Sequence, residues 1–297
     1  MRMPTAGPIA ATEASDIPRH SLADVVSDVN GARELANALS SDGFAVVSLP
    51  EADASILSAT LSTISRVLEP LHGCSPRTRR HTGAFTSTWA RRILMNYIPD
   101  DEPQADNEAP ALKEAVAAAA AVHPLLLRIS RAATDGMDIS CPLSNGRLDA
   151  FFYPDDEVHC DCRDYEDVAC PCPSHTDPGI VTVVAETSAA LEAISTAGGP
   201  WRRLDLRHDE VCIVTGQTLA KLSGGAFKAC EHRVSPTSAP RASYVFEVHA
   251  RVQPEEPDAS VKGAADVAVD VRGRREWLGA RAARLLAWLQ VVTMTPR

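Results

Sequence analysis

Apolar residues recur at helical spacing in the first half of the chain and in short, densely β-branched runs in the second, so the pattern divides near residue 140. Residues 21–39 carry Leu22, Val25, Val26, Val29, Leu35 and Leu39 on an amphipathic stretch that the Asn30-Gly31 pair is expected to break. Asp42-Gly43 then turns the chain into the run from Phe44 to Leu49, a predicted strand. Residues 52–71 place Ile56, Leu57, Leu61, Ile64, Val67 and Leu68 on one side of a helix that Pro70 and Gly73 stop. Residues 73–106 show weak periodicity. Residues 110–134 are Ala-rich and strongly helical, and Pro124 inside them predicts a kink or two helices. Beyond them, strands are expected at residues 147–153, 180–186, 191–195, 211–214, 227–234 and 243–252, separated by Gly and Pro turns. Residues 274–292 read as a closing helix.

Several short strands at this spacing imply a jelly roll. The expected fold is mainly β with α additions: a double-stranded β-helix (jelly roll) core with an N-terminal helical region and a C-terminal helix. The expected organisation is a flexible tail (1–20), a helical and strand region shaping a substrate pocket (21–140), the jelly-roll domain (141–254), and a linker with the C-terminal helix (255–297).

Composition narrows the function classes. The chain of 297 residues is 45% apolar, enough for an ordinary core, and its net charge of −10 argues against a nucleic-acid groove. The basic clusters Arg77, Arg79, Arg80 and Arg91, Arg92 fit a solvated face or a wall meeting a small acidic substrate better than a phosphate track. No run of about 18 apolar residues occurs and no secretory or transit pattern opens the chain, so a cytoplasmic protein that does not span a membrane is expected, its eight cysteines reduced.

The chemistry concentrates in one stretch, Ser174-His175-Thr176-Asp177-Pro178-Gly179, which leads into the β-branched run starting at Ile180. Residues i and i+2 of an extended segment point to the same side, so His175 and Asp177 can address one metal ion. A second imidazole, His232, follows downstream. Two His and one carboxylate, with other positions open, is the ligand set of non-haem Fe(II) oxygenases. Beyond it, Arg241 and Ser243 stand two residues apart at the head of a strand, where a guanidinium and a hydroxyl could clamp a dicarboxylate through a two-pronged bond.

His175-x-Asp177, His232-Arg233-Val234 and Arg241-x-Ser243 together resemble the iron- and 2-oxoglutarate-dependent dioxygenases of the isopenicillin N synthase-like group, most specifically over residues 147–252. Phe152-Tyr153-Pro154 is similar to the family's Asn-Tyr-Tyr-Pro, with Phe151 where the family has Asn, and Thr215-Gly216-Gln217-Thr218-Leu219 stands where the family has Gly-Asp-x-Leu. The resemblance implies that His175, Asp177 and His232 bind Fe(II), that Arg241, Ser243 and Tyr153 hold 2-oxoglutarate, and that O2 oxidises a small-molecule substrate with release of succinate and CO2. Two other readings stay open: an Fe(II)-dependent oxidase of the same fold that does not use 2-oxoglutarate, and a non-enzymatic jelly-roll binding module.

Other candidates are set against this site. Cys160, Cys162, Cys170 and Cys172 could hold a structural zinc, or remain reduced loop thiols, or form a disulfide on oxidation. Lys228 is a competing carboxylate binder. Arg233 reads as a structural ion-pair residue, and His159, His208 and His249 have no partner at metal spacing. Substrate identity, reaction outcome and oligomeric state are not written in these motifs.

Overall fold

The computed structural model describes residues 17–69, 83–87, 92–97, 110–139, 141–153, 172–237 and 239–251. All belong to a compact unit, Met1–Val252; the second unit, Gln253–Arg297, lies outside the described residues, as do the expected linker and C-terminal helix. The tail over residues 1–16 and the connection over 154–171 are outside them too.

A short strand, β1 (Arg19–Ser21), leads into α1 (Leu22–Ser27) and α2 (Val29–Asp42). The break between the helices falls at Asp28, ahead of the expected Asn30-Gly31, because the Asp28 carboxylate accepts from Asn30 N at 3.0 Å and caps α2. Gly31 stays helical: it lies against the Asp24 carbonyl, where a Cβ would stand 2.6 Å from the oxygen. β2 (Phe44–Ser48) and α3 (Glu51–Leu68) follow as expected. The weakly periodic segment contains a hairpin that periodicity did not reveal, β3 (Gly83–Ser87) with β4 (Arg92–Tyr97). α4 (Pro110–Asp135) is one helix running through Pro124, in place of two helices. Over Lys113–Asp135 it is long and apolar enough to cross a membrane, yet Ala115, Ala119, Val122, Leu126, Ile129 and Ala133 pack into the core of this domain.

The second half supplies β5 (Arg147–Tyr153), β6 (Cys172–His175), β7 (Val181–Glu186), β8 (Leu191–Ile194), β9 (Trp201–Arg203), β10 (Glu210–Thr215), α5 (Gln217–Leu222), β11 (Glu231–Val234) and β12 (Arg241–Val248). β11 is shorter than expected because residues 223–227 form a turn and bend, with Gly224 and Gly225 at positive φ, and residues 228–230 are irregular. β12 begins two residues earlier than expected, so Arg241 is itself a strand residue paired with Tyr153.

Two sheets result. The larger runs β1-β2-β10-β7-β12-β5-β4-β3 and the smaller β6-β11-β8-β9. Strand alternation divides the large sheet into two working faces. Val181, Val183, Ala242, Tyr244, Phe246, Leu148 and Phe152 face α2, α3 and α4 in one core, where the Tyr244 hydroxyl donates to Thr60 O at 3.2 Å. Phe44, Val46, Val184, Cys212 and Val214 face the small sheet and pack on Leu191 and Ala193. The jelly roll therefore carries a helical layer on one face and a site between its sheets on the other. The N-terminal helices share a core with the sheet and are not a separate domain.

Candidate active site

β6 and β11 are antiparallel neighbours with His175 directly opposite His232, so the ladder itself sets the two imidazoles side by side, 4.4 Å between ring centroids. Asp177, in the turn after β6, sends its carboxylate between them: Oδ1 lies 3.6 Å from His175 Nε2 and Oδ2 3.6 Å from His232 Nε2. One ligand atom from each residue falls within 4.8 Å of the others, the only such group among the described residues. Both rings use Nδ1 on backbone carbonyls, His175 on Pro173 at 2.9 Å and His232 on Cys230 at 3.3 Å, which fixes the tautomer and turns each Nε2 toward the shared space. Asp177 Oδ2 is buried with no hydrogen-bond partner. A buried carboxylate oxygen between two such nitrogens fits a divalent cation.

Burial holds His232 below the ordinary imidazole range and keeps it a neutral ligand. At His175 burial works in the same direction, but the Cys172 sulfur 3.9 Å from Nδ1, the Asp177 charge and the Pro173 carbonyl outweigh it and raise the ring to about 9.

The turn that carries Asp177 is held from two sides. α5 starts beneath it, with Gly216 N donating to Ile180 O at 2.9 Å, Gln217 N to Asp177 O at 2.8 Å and Thr218 N to Gly179 O at 3.0 Å. The turn carbonyls thus satisfy the first amides of the helix. From β12, Glu247 Oε1 accepts the buried Gly179 N at 2.7 Å. Sequence reasoning missed Glu247, although its position six residues past Arg241 puts it on the same face of that strand.

The second cluster lies on the inner face of the large sheet. Arg241 and Tyr153 are register partners, with the guanidinium carbon 4.9 Å from the Tyr153 ring centre, and Ser243 follows one inward position along. Arg241 is 1% exposed, and it already has a partner that sequence reasoning missed: Glu186, opposite Ser243 on β7, takes Nη2 at 2.6 Å and Nε at 2.8 Å. One edge of the guanidinium, Nε with Nη2, is therefore taken by Glu186, and a two-pronged contact with a ligand would use the Nη1 end. Arg241 Nη1 and Ser243 Oγ remain buried without partners. Burial works against the Arg241 charge, and Glu186 and Tyr153 hold it in place. A carboxylate closing a β-branched strand, two and four residues from inward Val184 and Thr182, was the available signal for Glu186.

Other candidates fall elsewhere. Lys228 is exposed and donates to Thr196 O at 3.3 Å, away from the clamp. Arg233 is structural, as expected: it donates to Glu192 at 2.8 Å and covers Trp201 at 4.3 Å. His208 is exposed, and His249 Nε2 lies 3.3 Å from Glu247 Oε2. Cys160, Cys162, Cys170, His159, Arg77, Arg79, Arg80 and Arg91 lie outside the described residues, as does the side chain of Arg92. Cys172 is half-buried beside His175, and nothing among the described residues supports a zinc site there.

Comparison with known proteins agrees with this geometry. Residues 150–250 match the model of the 2OG-Fe(II) oxygenase superfamily. Over 62 residues the chain is 37% identical to a 2-oxoglutarate-dependent dioxygenase of Gibberella zeae; the match spans 21% of this chain and 19% of that protein. Among solved structures, a full-length Neurospora crassa protein in complex with α-KG and 5-formyluracil superposes with a TM-score of 0.63 at 16% identity, covering 83% of this chain and 88% of that one. Dioxygenase for auxin oxidation 1 from Arabidopsis thaliana, bound to 2-oxoglutarate, gives 0.59 at 16% identity, covering 80% and 93%. The dioxygenase for auxin oxidation from rice gives 0.57 at 16%, covering 78% and 82%. These structural likenesses show the fold. The His175, Asp177 and His232 cluster lies inside residues 150–250, the stretch that matches the 2OG-Fe(II) oxygenase superfamily.

Proposed function

We propose that the chain is an Fe(II)- and 2-oxoglutarate-dependent dioxygenase that oxidises a small organic substrate. The observation that carries this reading is the placement of the Asp177 carboxylate 3.6 Å from each of two Nε2 atoms, with one oxygen buried and unpartnered. His175, Asp177 and His232 would hold the iron, and Arg241 Nη1 with Ser243 Oγ would hold the distal end of the cosubstrate beside Tyr153. When bound, iron and 2-oxoglutarate supply the O2-activating chemistry, with succinate and CO2 as by-products. The protein orients them: the β6–β11 register sets the imidazoles, α5 and Glu247 fix the Asp177 turn, and Glu186 fixes the guanidinium. The Neurospora crassa complexes with 5-formyluracil and with thymine support a small-molecule substrate for this architecture.

The test needs no substrate. Purified protein with Fe(II), ascorbate and labelled 2-oxoglutarate should release CO2 slowly, and His175→Ala or His232→Ala should abolish the release. Release that survives either change would overturn the assignment of the metal ligands.

A further inference from the structure

Two of the five guanidinium N–H donors of Arg241 are already used within the protein. Glu186 Oε2 receives both Nε and Nη2 of Arg241, the Glu186 side chain is fully buried and that of Arg241 is 1% exposed. The pair is electrically neutral as a unit. What remains for a ligand is the Nη1 end of the guanidinium and the Ser243 hydroxyl, with Nη1 and Oγ both buried and without a partner. An incoming carboxylate at these two atoms would join a pair whose positive charge is already matched, adding a net negative charge to a low-dielectric interior. A neutral acceptor meets no such cost. An amide suits the two atoms well: its carbonyl accepts from Nη1, and its N–H donates to the Ser243 oxygen, which can accept as well as donate.

We propose that Glu186 is the specificity-determining positioning residue of the cosubstrate clamp, and that the clamp accepts 2-oxo acids ending in a neutral hydrogen-bonding group as readily as 2-oxoglutarate. The inference rests on the 2-oxo acid reading of the site given above. It assigns Glu186 two effects: it locks the Arg241 side chain in one orientation, and it removes the preference for a second negative charge that an unopposed guanidinium would give.

The test is binding to protein loaded with Mn(II), which separates affinity from turnover, using three probes: 2-oxoglutarate, its 5-amide, with affinity expressed per open-chain molecule because the amide closes onto its own ketone as a lactam, and 2-oxopentanoate, which ends in a methyl group. In the unaltered protein the amide should bind within about fivefold of 2-oxoglutarate, and 2-oxopentanoate at least about tenfold more weakly than either. In Glu186→Gln the guanidinium loses its counter-charge, so the acid-to-amide affinity ratio should move about tenfold or more toward the acid. The ratio is internal to each protein and is insensitive to partial loss of folded material. A preference for 2-oxoglutarate over the amide of about a hundredfold in the unaltered protein would overturn the proposal, whatever the variant does. So would a ratio that Glu186→Gln leaves unmoved, or equal binding of all three probes, which would place the distal group away from the clamp. If no probe binds the Mn(II) protein, the 2-oxo acid reading itself fails and this inference falls with it; binding with the wrong order of probes overturns the inference alone.

Discussion

Gly216 lies so close to Gly179 that a Cβ on Gly216 would overlap the Gly179 carbonyl oxygen and stand 2.7 Å from the carbonyl carbon. The contact is between the start of α5 and the turn that carries Asp177, and backbone cannot yield as a flexible side chain can. Gly216→Ala should therefore cost on the order of 1–3 kcal/mol of stability. The displaced turn should also weaken divalent metal binding, because Asp177 presents its carboxylate from that turn and its carbonyl accepts from Gln217 N. Chemical denaturation and Mn(II) titration of the same preparation check both; intact stability with intact affinity would refute the packing argument.

Metal binding should strengthen with pH. The metal displaces a proton from His175, whose ring is raised to about 9, whereas burial already keeps His232 neutral. Between about pH 6.5 and 9 the dissociation constant should fall, by at most about tenfold per pH unit for one displaced proton. The metal-free protein should follow the opposite sign. A folded pKa above the unfolded one gives stability that is full below about pH 6.5 and lost as pH rises through 9. The His175 side chain is 40% exposed, so solvent reduces the size of this effect. Mn(II) titrations and thermal melts across that range check the two slopes, which should oppose each other.

Pro124 occupies an exposed position within α4, where it supplies no amide to the helix ladder. Pro124→Ala should stabilise the fold by on the order of 1–3 kcal/mol, since the helix gains a hydrogen bond and sheds a clash. Urea denaturation measures it, and an unchanged or lowered midpoint would show that the surrounding helix has already accommodated the ring.

The metal cluster was legible because each half of it is local. His175-x-Asp177 lies at the entry to a β-branched strand, and the alternation of β11 fixes which way His232 faces. The helices were legible from their apolar stripes for the same reason. What stayed hidden depends on pairing between distant segments. β6 contains Cys-Pro-Ser-His and β9 only three residues, so neither has a pattern of its own, and each is a strand because a neighbour offers it a ladder. Glu186 meets Arg241 only because β7 and β12 pair in the register that sets Ser243 opposite Glu186. A motif that supplies the arginine cannot show that its charge is already matched.

Among the described residues β6 is the outermost strand of the small sheet, held to β11 through the His175 and Cys172 positions with an irregular register between them, and its Pro173 has no amide to give. A cation shared by His175 and His232 would rivet that margin to the strand beside it. Iron supply would then bear on integrity as well as turnover: without the metal, the edge that must be intact to capture it would be the first to fray.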